Sequence, residues 1–442
     1  MPRILTMSWP LVKPPWKHVK WLSWGPPQTN MWIVPPKLEH SEAITLQDAS
    51  GALYNLKQQI ESLDSKSEWE FLKRSSNPYE LVFSQSQDTR IPSSVCSLRP
   101  LSRSFFKMVE ILTVMDFFKR HQINAKKPTI RSAHVCEGPG GFIEALLHLS
   151  TKNSWTLESA WAMTLKPSKA NIPGWKRAYH FLRKAPMVSI EYGADETGDI
   201  TVPANQTAFL EKARGKCTLF TADGGFDFSE HYSTQEEEVF PLLVSSALIG
   251  LQTMIKGGDF VLKIFDTELK ATKELIAILA FCFDSWTLYK PALSRPCNAE
   301  KYFLGRGCRF VPAWIMKTLT EMCAILKSTE QHHIHSIFPI VPAPIVYAIE
   351  GLKKEYLEQQ VAAVEYAISH KGEWNAEPHL IWKSIHDQSV LWCREFQMPL
   401  KPFSVFQPAL GRSIEETGLR RAISDHPTQA SHTCSEDADQ PE

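Results

Sequence analysis

AHVCEGPGGFIEALL, residues 133–147, decides how the rest of the chain is read. A short apolar run enters Glu137, then Gly138-Pro139-Gly140-Gly141, then a stretch from Phe142 with apolar side chains at helical spacing. Strand, tight turn and helix in that order form the unit of an open α/β sheet. Glycine admits a sharp turn and lets a ligand approach the backbone, because no Cβ stands in the way. Ligands of such sheets bind outside the carboxyl ends of the strands. The loop has neither G-x-G-x-x-G spacing nor a following Gly-Lys-Ser/Thr, so it is neither a dinucleotide fingerprint nor a phosphate loop.

A short glycine loop with an acidic neighbour suits a cofactor that has a cationic part and no phosphates. S-adenosylmethionine fits that description; a purely structural turn is the other reading. The residues assigned to the cofactor here are Glu137, Gly138, Pro139, Gly140, Gly141 and Phe142.

Outward from this loop, strand and helix patterns alternate. Apolar spacing predicts helices over 103–120, 142–149, 236–255 and 270–283, the third stopping at Gly257-Gly258. Strands are expected at 131–137, 159–165, 186–191, 217–222, 259–265, 285–289 and 301–309. Helices between strands imply a mostly parallel sheet covered on both faces. The expected organisation is an accessory region over 1–98, the α/β domain over 99–310, a mostly helical region over 311–425 broken at Pro339, Pro342 and Pro344, and a polar, acidic, disordered tail over 426–442. Trp9, Trp16, Trp21, Trp24 and Trp32 crowd the start. They could stack on bases, but packing against the domain behind them is the preferred reading.

Lys plus Arg and Asp plus Glu number 48 each, so any nucleic-acid surface has to be local. Nine cysteines occur without a C-x-x-C pair, which argues against a disulfide scaffold or zinc finger and for a reducing compartment, cytoplasm or nucleus. No signal peptide, transmembrane helix or membrane partner is expected. His332, His333 and His335 lack cysteine or acidic neighbours at ligand spacing, so they read as surface histidines and no metal is expected.

Two further groups carry chemistry. In EYGADETGDITVPAN, 191–205, Asp195, Glu196 and Asp199 crowd one turn. They could accept hydrogen bonds from a ribose, an amine or an adenine, hold a divalent cation, or be a solvated turn; Asp195 and Asp199 are assigned to the cofactor. The second group is Lys107, Asp223, Lys263 and Glu300. Lys263 is the anomaly, because lysine in a central strand is rarely buried unpaired. It should face a cleft or pair with a carboxylate, and Asp223 is the plausible partner. A ribose hydroxyl needs its proton removed before it attacks. Desolvation and a cationic neighbour are expected to lower the lysine's pKa into a usable range. A structural ion-pair network is the alternative.

SRSFFKMVEI, HVCEGPGGFIEALL, AWAMTLK, YGADETGDITVPAN, FTADGGFDF, GGDFVLKIFD and KPALSRPCNAEKYFLGRG resemble, in order, the segments of the RrmJ/FtsJ-type RNA ribose 2'-O-methyltransferases. The likeness is strongest to the mRNA cap 2'-O-methyltransferases of eukaryotes and large DNA viruses. It covers roughly residues 100 to 310. It implies a Rossmann-like class I methyltransferase fold with N- and C-terminal extensions and S-adenosyl-L-methionine as methyl donor. Lys263 takes the catalytic lysine role, supported by Lys107, Asp223 and Glu300, and Asp223 is also a cofactor-binding residue. Glu137 departs from many relatives, which carry a small residue or another acid there. The implied substrate is RNA, most narrowly a cap-proximal nucleotide of mRNA. Ribosomal or transfer RNA and a silent scaffold are the alternatives. A capping or transcription assembly is the partner expected, and for a viral source a virion or cytoplasmic factory is the location. Arg103, Lys119, Arg120, Lys126, Lys127, Arg131, Lys166 and Lys169 are candidates for the RNA path, with Lys13, Lys17 and Lys20 beside the early tryptophans.

Overall fold

The computed structural model describes residues 14–23, 39–41, 60, 66–85, 88, 90–122, 128–167, 172–225, 235–327, 333–337, 342–369, 371 and 378–402. Seven strands form one sheet: β1 (Thr129–Val135), β2 (Thr156–Met163), β3 (Val188–Glu191), β4 (Cys217–Ala222), β5 (Met254–Ile264), β6 (Phe283–Tyr289) and β7 (Lys301–Cys308). Their spatial order is β3-β2-β1-β4-β5-β7-β6. The first five run parallel, and β7 is antiparallel to both of its neighbours. Strand order reverses between β1 and β4, the position where α/β sheets open a crevice.

The helices are α1 (Lys66–Ser75), α2 (Ser104–Val114), α3 (Phe117–His121), α4 (Gly141–Lys152), α5 (Tyr179–Lys184), α6 (Pro203–Ala213), α7 (Gln235–Thr253), α8 (Lys270–Cys282), α9 (Ala313–Lys327), α10 (Ala343–Ser369) and α11 (Pro378–Glu395). Both faces of the sheet are covered. On one, Phe105, Phe106, Leu146, Leu219 and Val261 share a core with Trp392 of α11. On the other, Phe209, Val244, Leu279, Phe220 and Phe260 do so, with the last two rings stacked 5.0 Å apart. Leu219 and Phe220 thus face opposite layers, as strand alternation requires, and each fully buried large side chain contributes about 2–3 kcal/mol.

The sequence expectations differ from the structure at identifiable points. The helix expected over 103–120 is two helices, because Asp116 adopts a left-handed conformation with φ of 48°. The apolar spacing runs through that break unchanged, so periodicity could not reveal it. The first two strands begin two and three residues earlier than expected, and β1 ends at Val135, which puts Glu137 in the loop. Helix α7 ends at Thr253 and β5 starts at Met254, so 254–258 are strand and the Gly257-Gly258 pair stops no helix. Helices α5 and α6 were not expected from the sequence. Beyond the domain, His333–Ser336 is a strand, paired antiparallel with Glu39–Ser41 across the two accessory regions.

Trp16 packs edge-on against Tyr79 and Phe396, and the Arg306 guanidinium lies 3.4 Å from the Trp21 ring centre. Leu22 bridges to Trp286 at the sheet edge. Trp21 therefore packs on the domain, and Trp16 on the regions that flank it. Trp9, Trp24, Trp32, Cys434, Lys13, Lys126, Lys127, Lys169, His332 and the tail over 426–442 lie outside the described residues. Among the described residues no helix is long and apolar enough to cross a membrane, and no cluster of histidine, cysteine and acidic side chains could hold a metal ion.

Candidate active site

Sheet register assembles the centre. Ala222 pairs with Leu262, so Asp223 follows beside Lys263; Lys263 in turn pairs with Tyr302. Cross-strand partners share a face, and Glu300, two residues before Tyr302, lies on that face too. The Lys263 ammonium donates to the Asp223 carbonyl at 2.9 Å, pairs with Asp223 Oδ1 at 2.9 Å and lies 3.6 Å from Glu300 Oε2. Lys107, on α2, donates to Glu300 Oε1 at 2.6 Å. All four side chains named from the sequence therefore meet, each between 10% and 13% exposed.

The structure adds residues that the sequence reading missed. The Tyr302 hydroxyl donates to Asp223 Oδ1 at 2.7 Å, and the Ser104 hydroxyl donates to Oδ2 at 2.8 Å. Ser104 is one helical turn before Lys107, a spacing that could have marked it. Lys290 also went unnoticed, although it ends an apolar strand much as Lys263 interrupts one. Its ammonium donates to the carbonyls of Asn298 at 2.5 Å and Glu300 at 2.8 Å, and so fixes the backbone that carries Glu300. Burial pushes Lys290 down to about 7, against the pull of Glu300. Glu80 clamps the same loop from the N-terminal side. It is buried and pairs with Arg295 at 2.8 Å and with Arg103 at 3.0 Å.

The expected depression of the Lys263 pKa is not found. Burial does pull it down, but Asp223 and Glu300 outweigh burial and hold it above the ordinary lysine range. Glu300 shows the reciprocal effect. Burial would raise its carboxyl, but Lys107 and Lys263 hold it far below the usual range.

The glycine loop sits between β1 and α4. A Cβ on Gly138 would lie 2.7 Å from the Gly174 carbonyl oxygen, and one on Gly140, where φ is +100°, would lie 3.1 Å from the Trp175 ring. These positions accept only glycine because the 172–175 segment crosses directly over them. No side chain caps the start of α4, so its first-turn N–H groups can receive an anionic group. Carboxylates lie nearby for a cationic one. The Cys136 thiol is pushed up by burial and then by Asp199, Glu137 and Asp223, which places these acids around the end of β1. A ligand with both an ammonium and a carboxylate, as S-adenosylmethionine has, fits the uncapped start of α4 with the Asp199 and Asp223 carboxylates near it.

Three residues assigned to the cofactor already have partners within the protein. The Glu137 carboxyl is buried, accepts from the Thr221 hydroxyl and lies 3.3 Å from His134 Nδ1. Asp195 is tied to its own loop through one carboxylate oxygen, which accepts from the Thr197 N–H, the Thr197 hydroxyl and Asn205 Nδ2. One Asp199 oxygen is likewise held by Thr201, and the other lies 3.2 Å from Lys327 on α9. The RNA-path candidates are also largely committed. Arg103 is paired with Glu80, Arg120 with Asp259, Arg131 with Glu158 and Lys166 with Glu196.

Residues 100–308 match the family model described as FtsJ-like methyltransferase. Over 249 residues the chain is 33% identical to the cap-specific mRNA (nucleoside-2'-O-)-methyltransferase 1 of Xenopus laevis, an alignment covering 53% of this chain and 27% of that protein. It is 30% identical over 288 residues to methyltransferase 2 of the same name from Danio rerio, covering 64% and 37%. A protein of African swine fever virus named "Probable methyltransferase EP424R" is 30% identical over 224 residues, covering 47% and 49%. The chain thus spans about half or less of the length of these relatives. Through residues 100–308, the chain is similar to the FtsJ-like methyltransferases.

Proposed function

We propose that the chain transfers a methyl group from S-adenosylmethionine to a ribose 2'-hydroxyl of RNA, at a cap-proximal nucleotide of mRNA. The observation that carries this is Lys263: a buried ammonium between Asp223 and Glu300, at the carboxyl end of β4 and beside the glycine loop. The names of the Xenopus and Danio relatives support the narrower substrate.

The cofactor supplies a methyl group on a sulfonium that is already a good leaving group. The protein's part is alignment and proton handling. Asp223 is held by Ser104 and Tyr302 and in turn holds Lys263. Lys107 fixes Glu300, which limits where the Lys263 ammonium can move. A ribose hydroxyl meeting the lysine nitrogen gives up its proton there once that nitrogen is neutral.

Transfer of label from S-adenosylmethionine to matched capped and uncapped short RNAs, followed by nucleoside identification, tests the reading. Label on a cap-proximal ribose, with capped RNA alone, is expected. Label on internal ribose would move the substrate to structured RNA. No label on ribose in any RNA, with the cofactor bound, would overturn the activity.

The acidic loop offers a second check. Gly198 has φ of 73°, and a Cβ there would lie 2.0 Å from the Thr164 carbonyl oxygen. Gly198→Ala should therefore strain or displace the loop at a cost of about 1–3 kcal/mol. Calorimetry should then read cofactor affinity lower by roughly tenfold or more. Unchanged affinity would remove the loop from the cofactor site.

A further inference from the structure

From Thr164 to Pro186 the sequence TLKPSKANIPGWKRAYHFLRKAP contains six lysines and arginines, one histidine and no Asp or Glu. In a chain of balanced charge this is a concentrated positive segment. The described part of it is built as a surface. Lys176, Arg177, Tyr179, His180, Arg183 and Lys184 are all exposed, Tyr179 by 58%. The helical turns of 176–184 place Lys176, His180 and Arg183 along one side. Among the described residues none of the four cations at 176, 177, 183 and 184 is held in an ion pair, unlike Arg103, Arg120, Arg131 and Lys166. The Arg183 guanidinium lies 5.7 Å from the Tyr179 ring centre.

The surface is anchored to the active site. Trp175, immediately before it, is buried against Gly140, and Gly174 crosses over Gly138. Gly141 abuts Ser102 and Ser104, and Ser104 donates to Asp223. A chain of contacts therefore joins the positive face to Asp223. Phe181 and Leu182 turn inward onto the core. That leaves no apolar face to insert into a lipid surface, and the exposed groups are those that bind phosphates and stack on bases.

We propose that this face binds the phosphodiester backbone of the RNA substrate beyond the reacting nucleotide, with Tyr179 as a stacking platform. The inference rests on the RNA methylation reading above and extends it to a second contact region. The full-length chain with Lys176→Gln, Arg177→Gln, Arg183→Gln and Lys184→Gln together is compared with the unaltered chain for binding a labelled single-stranded RNA of 20 nucleotides over a salt series. Each lost phosphate contact removes about 0.7 from the slope of log affinity against log salt. Four contacts would make the slope shallower by roughly 2–3 and lower the affinity at least tenfold at low salt. Cofactor affinity and thermal unfolding, measured alongside, should not change. Tyr179→Ala should weaken binding without altering the slope.

Unchanged RNA affinity and slope in the quadruple variant, with folding and cofactor binding intact, would overturn the proposal. Because binding is read without turnover, the two readings can fail separately. RNA binding that loses its salt slope in the variant, from a chain that methylates no ribose, would leave the surface standing and remove the activity.

Discussion

Lys263→Met is expected to lower methyl transfer by at least about 10³-fold, the range lost when a positioned acid–base group is removed. Methionine keeps most of the length of the side chain and removes its charge, so the change isolates the ammonium. The protein should remain folded. Asp223 keeps its bonds from Tyr302 and Ser104, and Glu300 keeps Lys107, so no buried carboxylate is left without a partner. Binding of S-adenosylmethionine, measured by calorimetry, should stay within a few-fold, because the methionine stands on the Glu300 side of Asp223. Transfer near the unaltered rate in the purified variant would defeat the mechanism.

The same lysine sets the pH dependence. Asp223 and Glu300 overcome burial and raise its pKa, so in the free protein it is charged through neutral pH. A base must be neutral to accept a proton, and kcat/KM reports groups of the free enzyme. Log kcat/KM should therefore climb with a slope near one through the mildly alkaline range and reach no plateau below the ordinary lysine pKa. A flat profile would make Lys263 an orienting charge rather than the base.

The sequence made Lys263 conspicuous because a lysine inside DFVLKIFD breaks an apolar strand. Its pKa could not be read the same way. Glu300 reaches it through β7, an antiparallel strand placed beside β5 by the later part of the fold, and the second carboxylate is what reverses the expected shift. Arg103 misled for a similar reason. Four residues before Lys107 it looks like a surface charge, but Glu80, from the accessory region, buries it. The glycine loop could be read locally, since its conformation is written in adjacent residues. The break at Asp116 could not, because the apolar spacing is the same on both sides of it. Glu137 and Asp195 carry the right chemistry for a cofactor, but one oxygen of each is already held, Glu137 Oε1 by Thr221 and Asp195 Oδ1 by Thr197 and Asn205. Which face an acid presents depends on those bonds, and composition does not contain them.

Glu110→Ala is expected to be the most destabilising single change, at about 4 kcal/mol near pH 5. Glu110 lies one turn after Lys107 on α2 and is fully buried. Its Oε1 accepts from the Tyr289 hydroxyl at 2.5 Å and the Ala292 N–H at 2.8 Å, and its Oε2 accepts from Trp392 Nε1 at 2.6 Å. Alanine leaves three buried donors unpaired, each costing about 1–3 kcal/mol before partial relaxation. The donors come from the end of β6, the following loop and α11, so one carboxyl ties the C-terminal region to the helix that carries Ser104 and Lys107. Burial, against those three bonds, pushes the Glu110 carboxyl up to about 7. A raised pKa gives stability that is complete below the unfolded value of 4.5 and is lost as pH rises through 7. The unaltered chain should therefore lose roughly 3 kcal/mol from this group between pH 4.5 and 8. Alanine has no such titration, so the penalty of Glu110→Ala should shrink by that amount at pH 8. Urea unfolding of both chains at the two pH values measures the difference. A penalty that grows with pH would mean that Glu110 is held as the anion, with the three donors outweighing burial.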